Sequence, residues 1–163
     1  MSVLVLVTGG TFDKEYDERR GRLYFKATHL PEMLDRGRCR VPVRLRRLMM
    51  KDSLFMTPAD RNKVLAACQA AREKRIVVTH GTDTMVETAR LLGRALEGSG
   101  KTVVLTGAMV PYAFGSSDGL FNLGAALAYA NSLPPGVWVA MNGQAHAFDR
   151  VRKDRRLSSF VPA

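Results

Sequence analysis

The stretch that decides the fold of this chain is Val3-Leu4-Val5-Leu6-Val7-Thr8-Gly9-Gly10-Thr11. Its apolar part, residues 3–7, alternates valine with leucine and is far too short to cross a membrane. It is therefore predicted to form a buried strand that ends in a turn of small residues. Short apolar runs of the same kind recur at residues 76–79, 102–105 and 137–141. Such runs indicate a sheet whose central strands are buried on both faces.

Helical patterns separate these strands. Thr57 followed by Pro58 is a typical helix start, and this helix is predicted to run to about residue 74. Alternating strands and helices of this length require crossover connections and a parallel sheet. The sequence thus predicts one α/β domain, a three-layer αβα sandwich with a mostly parallel, doubly wound, flavodoxin- or Rossmann-like sheet. Two further helices and one half-exposed edge strand are predicted at residues 84–96, 117–131 and 41–48.

The positive charge of the chain is large and unevenly distributed. The formal net charge is +10, and most of it lies in residues 36–51 and 150–156. Basic runs can bind nucleic acid, but no aromatic residues interleave with these charges and no nucleic-acid-binding motif is visible. We interpret the runs as a solvated basic face, or as a surface that meets acidic groups across an oligomer interface, and expect no nucleic-acid partner.

Cysteine and histidine usage excludes other classes of protein. Cys39 and Cys68 show neither a metal-binding spacing nor a disulfide framework. His80 has no second ligand at metal-binding spacing and is predicted to be structural. We therefore expect no metal and no cofactor, no membrane segment, and a reducing cytoplasmic location.

Three predicted strands end in nearly the same way, with threonine followed by glycine or by His-Gly. In open α/β sheets ligands bind beyond the carboxyl ends of the strands, and glycine lets the backbone approach a ligand closely. The sequence thus predicts a polar pocket at one edge of the sheet. The three segments are Thr8-Gly9-Gly10-Thr11, Thr79-His80-Gly81-Thr82-Asp83-Thr84 and Thr106-Gly107-Ala108-Met109.

A threonine hydroxyl attacks only when a neighbouring group activates it. Thr11 and Thr82 are the candidate nucleophiles, Asp83 adjoins Thr82, and Lys153 lies within a dozen residues of the last predicted strand. A structural interpretation competes for each: a turn hydroxyl bonded to backbone, a helix N-terminal carboxylate, and a solvated lysine. Thr8 is better explained as a turn residue. The charged segment after Thr11 is typical of a mobile lid.

These motifs resemble those of the bacterial-type L-asparaginases. The Thr-Gly-Gly-Thr and His-Gly-Thr-Asp-Thr segments are similar to the two signature motifs of that family, and the similarity extends over nearly the whole chain. Further blocks that resemble the family are Asp52-Ser53, residues 106–109, Ser117-Asp118-Gly119 with Asn122, and Met141-Asn142-Gly143 with Asp149, Val151 and Lys153.

The resemblance implies an L-asparagine amidohydrolase that forms aspartate and ammonia. Thr11 would be the nucleophile, assisted by a lid tyrosine. Tyr16 is preferred for its shorter tether, with Tyr24 as the alternative. The remaining implied roles are proton transfer at Thr82, Asp83 and Lys153, substrate anchoring at Asp52, Ser53 and Asp83, and close backbone approach at Gly10, Gly81 and Ala108.

The sequence also departs from the family. Members usually carry a second, C-terminal domain, so we expect residues 1–163 to be a single catalytic domain without it, with looser selectivity. Val110 replaces the family's arginine. A homo-oligomer, dimer or tetramer, is expected because the third helix is rich in glycine and alanine. A non-catalytic amino-acid sensor, an amidase for another amide and a basic module that binds RNA or acidic partners remain alternatives.

Overall fold

The computed structural model describes residues 2–163, and within them the chain forms ten strands and four α-helices. The strands are Val3–Gly9 (β1), Lys14–Asp17 (β2), Arg22–Phe25 (β3), Val43–Lys51 (β4), Arg75–Thr79 (β5), Thr102–Thr106 (β6), Gly136–Met141 (β7), Gln144–Ala147 (β8), Val151–Asp154 (β9) and Ser159–Pro162 (β10). The helices are Leu30–Arg36 (α1), Pro58–Ala70 (α2), Met85–Ala95 (α3) and Gly119–Ser132 (α4).

Six strands form the central sheet, in the order β4-β1-β5-β6-β7-β8. All neighbouring pairs are parallel except β7–β8, which is antiparallel. The first β-strand lies between β4 and β5, so the winding direction of the sheet reverses there. This is the flavodoxin strand order, and the reversal is the switch point at which such sheets bind ligands.

Two apolar cores lie on the two faces of the sheet, and successive residues of β1 supply them alternately. Leu4 and Leu6 face α2 and α3, whereas Val5 and Val7 face α1 and α4. Every residue of β1 is buried, as expected of a central strand covered on both faces. The three-layer, mostly parallel α/β fold predicted from the sequence is therefore confirmed.

Some predicted boundaries were wrong. The helix predicted to reach residue 74 ends at Ala70, because the Lys74 carbonyl already accepts a hydrogen bond from the Thr102 amide in the sheet. The edge strand begins two residues later than predicted and continues to Lys51, pairing with β1 along its length. Asp60 completes a capping box with Thr57, which confirms the predicted start of α2.

No pattern in the sequence predicted the short elements. Residues 14–25, predicted as a polar lid, form a two-stranded hairpin of β2 and β3. A second hairpin, β9–β10, packs beside α3 through buried Val151 and Phe160. In residues 2–163 no helix is long and apolar enough to span a bilayer, and Cys39 and Cys68 are both free thiols.

Candidate active site

The three threonine-rich strand ends meet at one edge of the sheet. Strand pairing sets Val7 beside Thr79 and Thr79 beside Thr106. The Thr8 hydroxyl donates to the Thr79 carbonyl at 2.6 Å, and the Thr106 hydroxyl donates to the Ala140 carbonyl at 2.8 Å. These two hydroxyls stabilise the strand ends, which leaves the threonines that follow, Thr11 and Thr82, as the candidate nucleophiles.

Glycine lets two of these turns touch through their backbones. A Cβ at Gly10, where φ is +74°, would lie 2.4 Å from the Gly81 nitrogen. A Cβ at Gly81 would lie 2.6 Å from both Cβ and Oγ of Ser53. Neither space admits a side chain. The contact therefore holds Thr11 and Thr82, which follow the two glycines, on adjacent turns with Ser53 beside them.

Thr82, Asp83 and Lys153 form one hydrogen-bonded cluster. The Lys153 ammonium donates to Thr82 Oγ1 at 2.8 Å and to Asp83 Oδ1 at 2.8 Å. The lysine side chain is 15% exposed and that of Asp83 38%. A positive charge this close favours negative charge on the threonine oxygen, so the solvated-lysine interpretation does not hold for Lys153.

The β9–β10 hairpin explains how Lys153 reaches residues about 70 positions earlier in the chain. Val151 and Lys153 lie on the same face of β9, and Phe160 pairs directly with Lys153 across the hairpin. Burial of Val151 and Phe160 in the core turns that face towards the sheet. Two apolar anchors thus aim the lysine at Thr82.

His80 is buried beneath the cluster and fixes the Gly81 carbonyl. Its Nδ1 lies 2.7 Å from that carbonyl oxygen, and its Nε2 lies 2.7 Å from the Thr88 hydroxyl. A carbonyl can only accept, so Nδ1 carries the hydrogen and Nε2 accepts from Thr88. Burial lowers the pKa of His80 to about 4, outweighing its hydrogen bond to Gly81. The ring is a neutral support, consistent with the structural role predicted for it.

Thr11 begins a 3₁₀ turn that leads into the β2–β3 hairpin. It is partly exposed. The hydroxyls of Thr8, Thr82 and Thr106 are each hydrogen-bonded, whereas within residues 2–163 the Thr11 hydroxyl makes no such bond. The buried Asp13 anchors the turn by accepting from the His29 amide at 2.8 Å. Burial raises the pKa of Asp13 despite this bond.

The two lid tyrosines lie on opposite faces of the hairpin, because Tyr16 pairs with Leu23 and Tyr24 pairs with Glu15. Tyr16 is 58% exposed, and its hydroxyl lies over the hairpin turn, 3.9 Å from a Cβ placed on Gly21. The Tyr24 hydroxyl donates to Glu15 at 3.2 Å. In this conformation neither hydroxyl is bonded to Thr11, so the assignment of Tyr16 as its partner stays a prediction.

Asp52 and Ser53 follow β4, and Ser53 contacts the turn that carries Thr82 and Asp83. The Ser53 hydroxyl accepts from the Thr84 amide at 3.2 Å, and Asp52 accepts from the Leu54 amide at 2.9 Å and from the Lys14 ammonium. Burial raises the pKa of Asp52, but the bonds from Lys14 and Leu54 outweigh it and leave a lowered pKa. Sequence reasoning missed Lys14, since a lysine in a charged segment carries no distinguishing signal.

The loop after β6, which carries Ala108, is held from α4. Asp118 accepts from the Met109 and Val110 amides at 3.0 Å each. Asn122 donates to the Gly107 carbonyl at 2.9 Å and to Asp118 at 3.0 Å. Asp118 occupies the N-cap position of α4, yet its side chain bonds the preceding loop instead of the helix amides.

These groups suit acyl transfer. One hydroxyl is held by an ammonium–carboxylate pair, a second lies on the adjacent turn, and backbone amides at the glycine turns are candidate donors to an oxyanion. Within residues 2–163, no three His, Cys, Asp or Glu side chains are grouped to hold a metal ion.

Comparison with known proteins agrees with this geometry. The family model described as "Asparaginase, N-terminal" matches residues 2–159. An L-asparaginase of Thermococcus kodakarensis is 31% identical over 156 residues, which are 94% of this chain and 48% of that protein. A glutamyl-tRNA(Gln) amidotransferase subunit of the same organism is 35% identical over 93% of this chain and 37% of its own length.

Solved structures give the same result. The thermostable L-asparaginase from Thermococcus kodakarensis superposes with a TM-score of 0.83 at 30% identity, covering 99% of this chain and 51% of that one. A Campylobacter jejuni protein described as a probable cytoplasmic L-asparaginase gives 0.81 at 29% identity, covering 99% and 52%. The chain thus spans about half the length of these L-asparaginases.

Proposed function

Since this chain belongs to the asparaginase N-terminal family, we propose that it is an amidohydrolase that converts L-asparagine to L-aspartate and ammonia. The observation that carries the proposal is the Lys153–Thr82–Asp83 cluster, which lies at the switch point of the sheet beside the turn that holds Thr11. A protein that only bound an amino acid would have no need of two threonines and a lysine in this arrangement.

The proposed reaction proceeds in two steps. The Thr11 hydroxyl attacks the side-chain amide carbon, the C–N bond breaks, and the nitrogen takes up a proton and leaves as ammonia. Water then attacks the resulting ester, which releases aspartate and restores the Thr11 hydroxyl. Thr82, Asp83 and Lys153 move protons and stabilise developing charge, and Tyr16 assists Thr11 when the hairpin closes.

Substrate contacts are proposed on both sides of this cluster. Ser53 anchors the α-carboxylate and Asp83 the α-ammonium, while Asp52 supplies a second negative charge nearby. Gly10, Gly81 and Ala108 let the substrate approach the backbone closely. One methylene separates asparagine from glutamine and is worth only about 1–3 kcal/mol of discrimination, so we expect some activity on glutamine as well.

The decisive experiment measures ammonia release from L-asparagine and L-glutamine by the wild type, Thr11→Ala and Thr82→Ala. We expect turnover of asparagine that falls about 1,000-fold or more in Thr11→Ala. Thr57→Ala, which removes only the α2 cap, is the matched control. Activity that survives Thr11→Ala but not Thr82→Ala would assign the nucleophile to Thr82. A wild type that binds aspartate yet releases no ammonia would be a sensor.

The relative named as an amidotransferase component favours a second candidate, in which the ammonia serves a partner enzyme. This candidate predicts that the isolated chain is nearly inactive until a partner protein is added. A turnover number of the isolated chain in the ordinary range of roughly 1–1,000 per second would exclude it.

We further propose a homo-oligomer in a reducing compartment. Phe121 of α4 is 65% exposed, and one helical turn away Gly124 has open space above it, which supports close packing of another copy. The free thiols Cys39 and Cys68 support the reducing compartment. Light scattering on the wild type and Phe121→Ser tests the oligomer, since the variant should lower the average mass.

A further inference from the structure

A second lysine, Lys14, carries a charge beside the site. It lies three residues after Thr11, at the start of β2, and its side chain is 17% exposed. Its ammonium bonds Asp52 Oδ2 and lies 5.9 Å from the centre of the Phe25 ring. The charge is thus held in a defined place and does not sample the solvent freely.

This charge joins the segment that carries the candidate nucleophile to the segment that carries the candidate carboxylate anchor. Asp52 directly precedes Ser53, whose hydroxyl is fixed against Gly81 and the Thr84 amide. The Gly10 amide donates to the Lys51 carbonyl at 2.9 Å, which ties the turn before Thr11 to the residue before Asp52. Lys14 therefore bridges the two turns that would grip opposite ends of a short amino acid.

The Lys14 ammonium still has bonding capacity. An ammonium has three donors, and its one carboxylate partner in the described residues is Asp52. The other Asp52 oxygen is engaged by the Leu54 amide. A second carboxylate can therefore bond Lys14 without displacing Asp52. The neutral Ser53 hydroxyl alone would supply no charge to balance an α-carboxylate.

We propose that Lys14 is a specificity-determining residue that binds the α-carboxylate of the substrate together with Ser53. The inference rests on the proposed function for the identity of the substrate. Because Lys14 lies on the β2–β3 hairpin and Asp52 follows the central sheet, the same contact would bring the hairpin onto a substrate that carries an α-carboxylate. Amides without that group gain nothing from it.

The test compares two amides that differ only in this carboxylate, L-asparagine and β-alaninamide. In Lys14→Met we expect kcat/KM for asparagine to fall about 10- to 100-fold, mainly through KM. The value for β-alaninamide should change less than about twofold, and Lys14→Arg should restore part of the loss. Lys26→Met changes an exposed lysine that directly follows β3. It is the control and should match the wild type on both amides.

Equal losses on the two amides would overturn the proposal and indicate that Lys14 only holds the hairpin in place. No loss on either amide would also overturn the proposal. If the wild type hydrolyses neither amide, the proposed function fails, and Lys14 is judged by calorimetry with L-aspartate and β-alanine. The same selective weakening, about tenfold or more for aspartate alone, is expected there. Unchanged aspartate binding in Lys14→Met would overturn the inference.

Discussion

Two lysine–aspartate pairs flank the candidate site, and they differ in what supports them. Lys153 and Asp83 are joined at 2.8 Å, and Lys153 lies on a hairpin that buries Val151 and Phe160 in the core. The side chains of Lys14 and Lys153 are about equally shielded, at 17% and 15% exposed. However, Lys14 lies on β2, whose four residues are all at least partly exposed and pair with β3 alone. We call Lys153–Asp83 the core-anchored pair and Lys14–Asp52 the hairpin pair. In the proposed function, the core-anchored side would carry the chemistry and the more exposed hairpin side would carry recognition.

The largest expected effect comes from the core-anchored pair. Lys153→Met should lower kcat about 1,000-fold, because it removes the charge beside Thr82, and should change KM little. Arg152→Met, an adjacent change at a side chain that is 57% exposed, is the matched control in steady-state assays with asparagine. A defect confined to KM would reverse the roles assigned to the two pairs.

The second-largest expected effect is a loss of folding stability in acid, which His80 causes. The pKa of His80 is about 4 in the folded chain against an ordinary 6.5, so between these values the unfolded chain binds more protons. Stability should therefore fall as the pH drops from about 6.5 towards 4, by roughly 3 kcal/mol.

Urea unfolding of the wild type and His80→Gln across this pH range measures the contribution of His80. The free energy of unfolding of the variant should be lower at pH 7 and should depend less on pH. Parallel curves for the two proteins would show that His80 does not cause the acid sensitivity.

Gly81→Ala tests the close contact between Gly81 and Ser53. This contact joins the turn that carries Asp83 to the turn that carries Asp52. The added Cβ would lie 2.6 Å from Ser53, and such overpacking costs about 1–3 kcal/mol. Thermal unfolding should thus give a lower Tm for Gly81→Ala than for the wild type. A Tm unchanged by Gly81→Ala would mean that Ser53 can move aside at little cost in free energy.

The smallest expected effect on global stability comes from the hairpin pair. Asp52→Asn weakens a partly exposed pair, and such pairs contribute about 1 kcal/mol or less. Hydrogen exchange should nevertheless quicken in residues 14–25, with no change near Thr82. Exchange that quickens equally at both places would show that the two pairs are coupled.

Local patterns were enough to predict the framework. The apolar runs of β1, β5, β6 and β7 predict buried strands because only strands covered on both faces are continuously apolar. Thr11, Thr82 and Asp83 follow from their positions at strand ends. Lys14 could not be predicted, since it is one of several charges in residues 13–26 and its partner lies 38 positions away.

The sequence alone determined the central strands, the long helices and the side chains that follow the parallel strands, because hydrophobic period and turn chemistry act over a few residues. Tertiary structure decided which of those side chains meet. Lys153 reaches Thr82, 71 positions away, because two residues of its hairpin are buried in the core, and Lys14 reaches Asp52 because the Gly10 turn packs against the end of β4. Such contacts depend on burial and pairing between distant segments, and no local pattern encodes them.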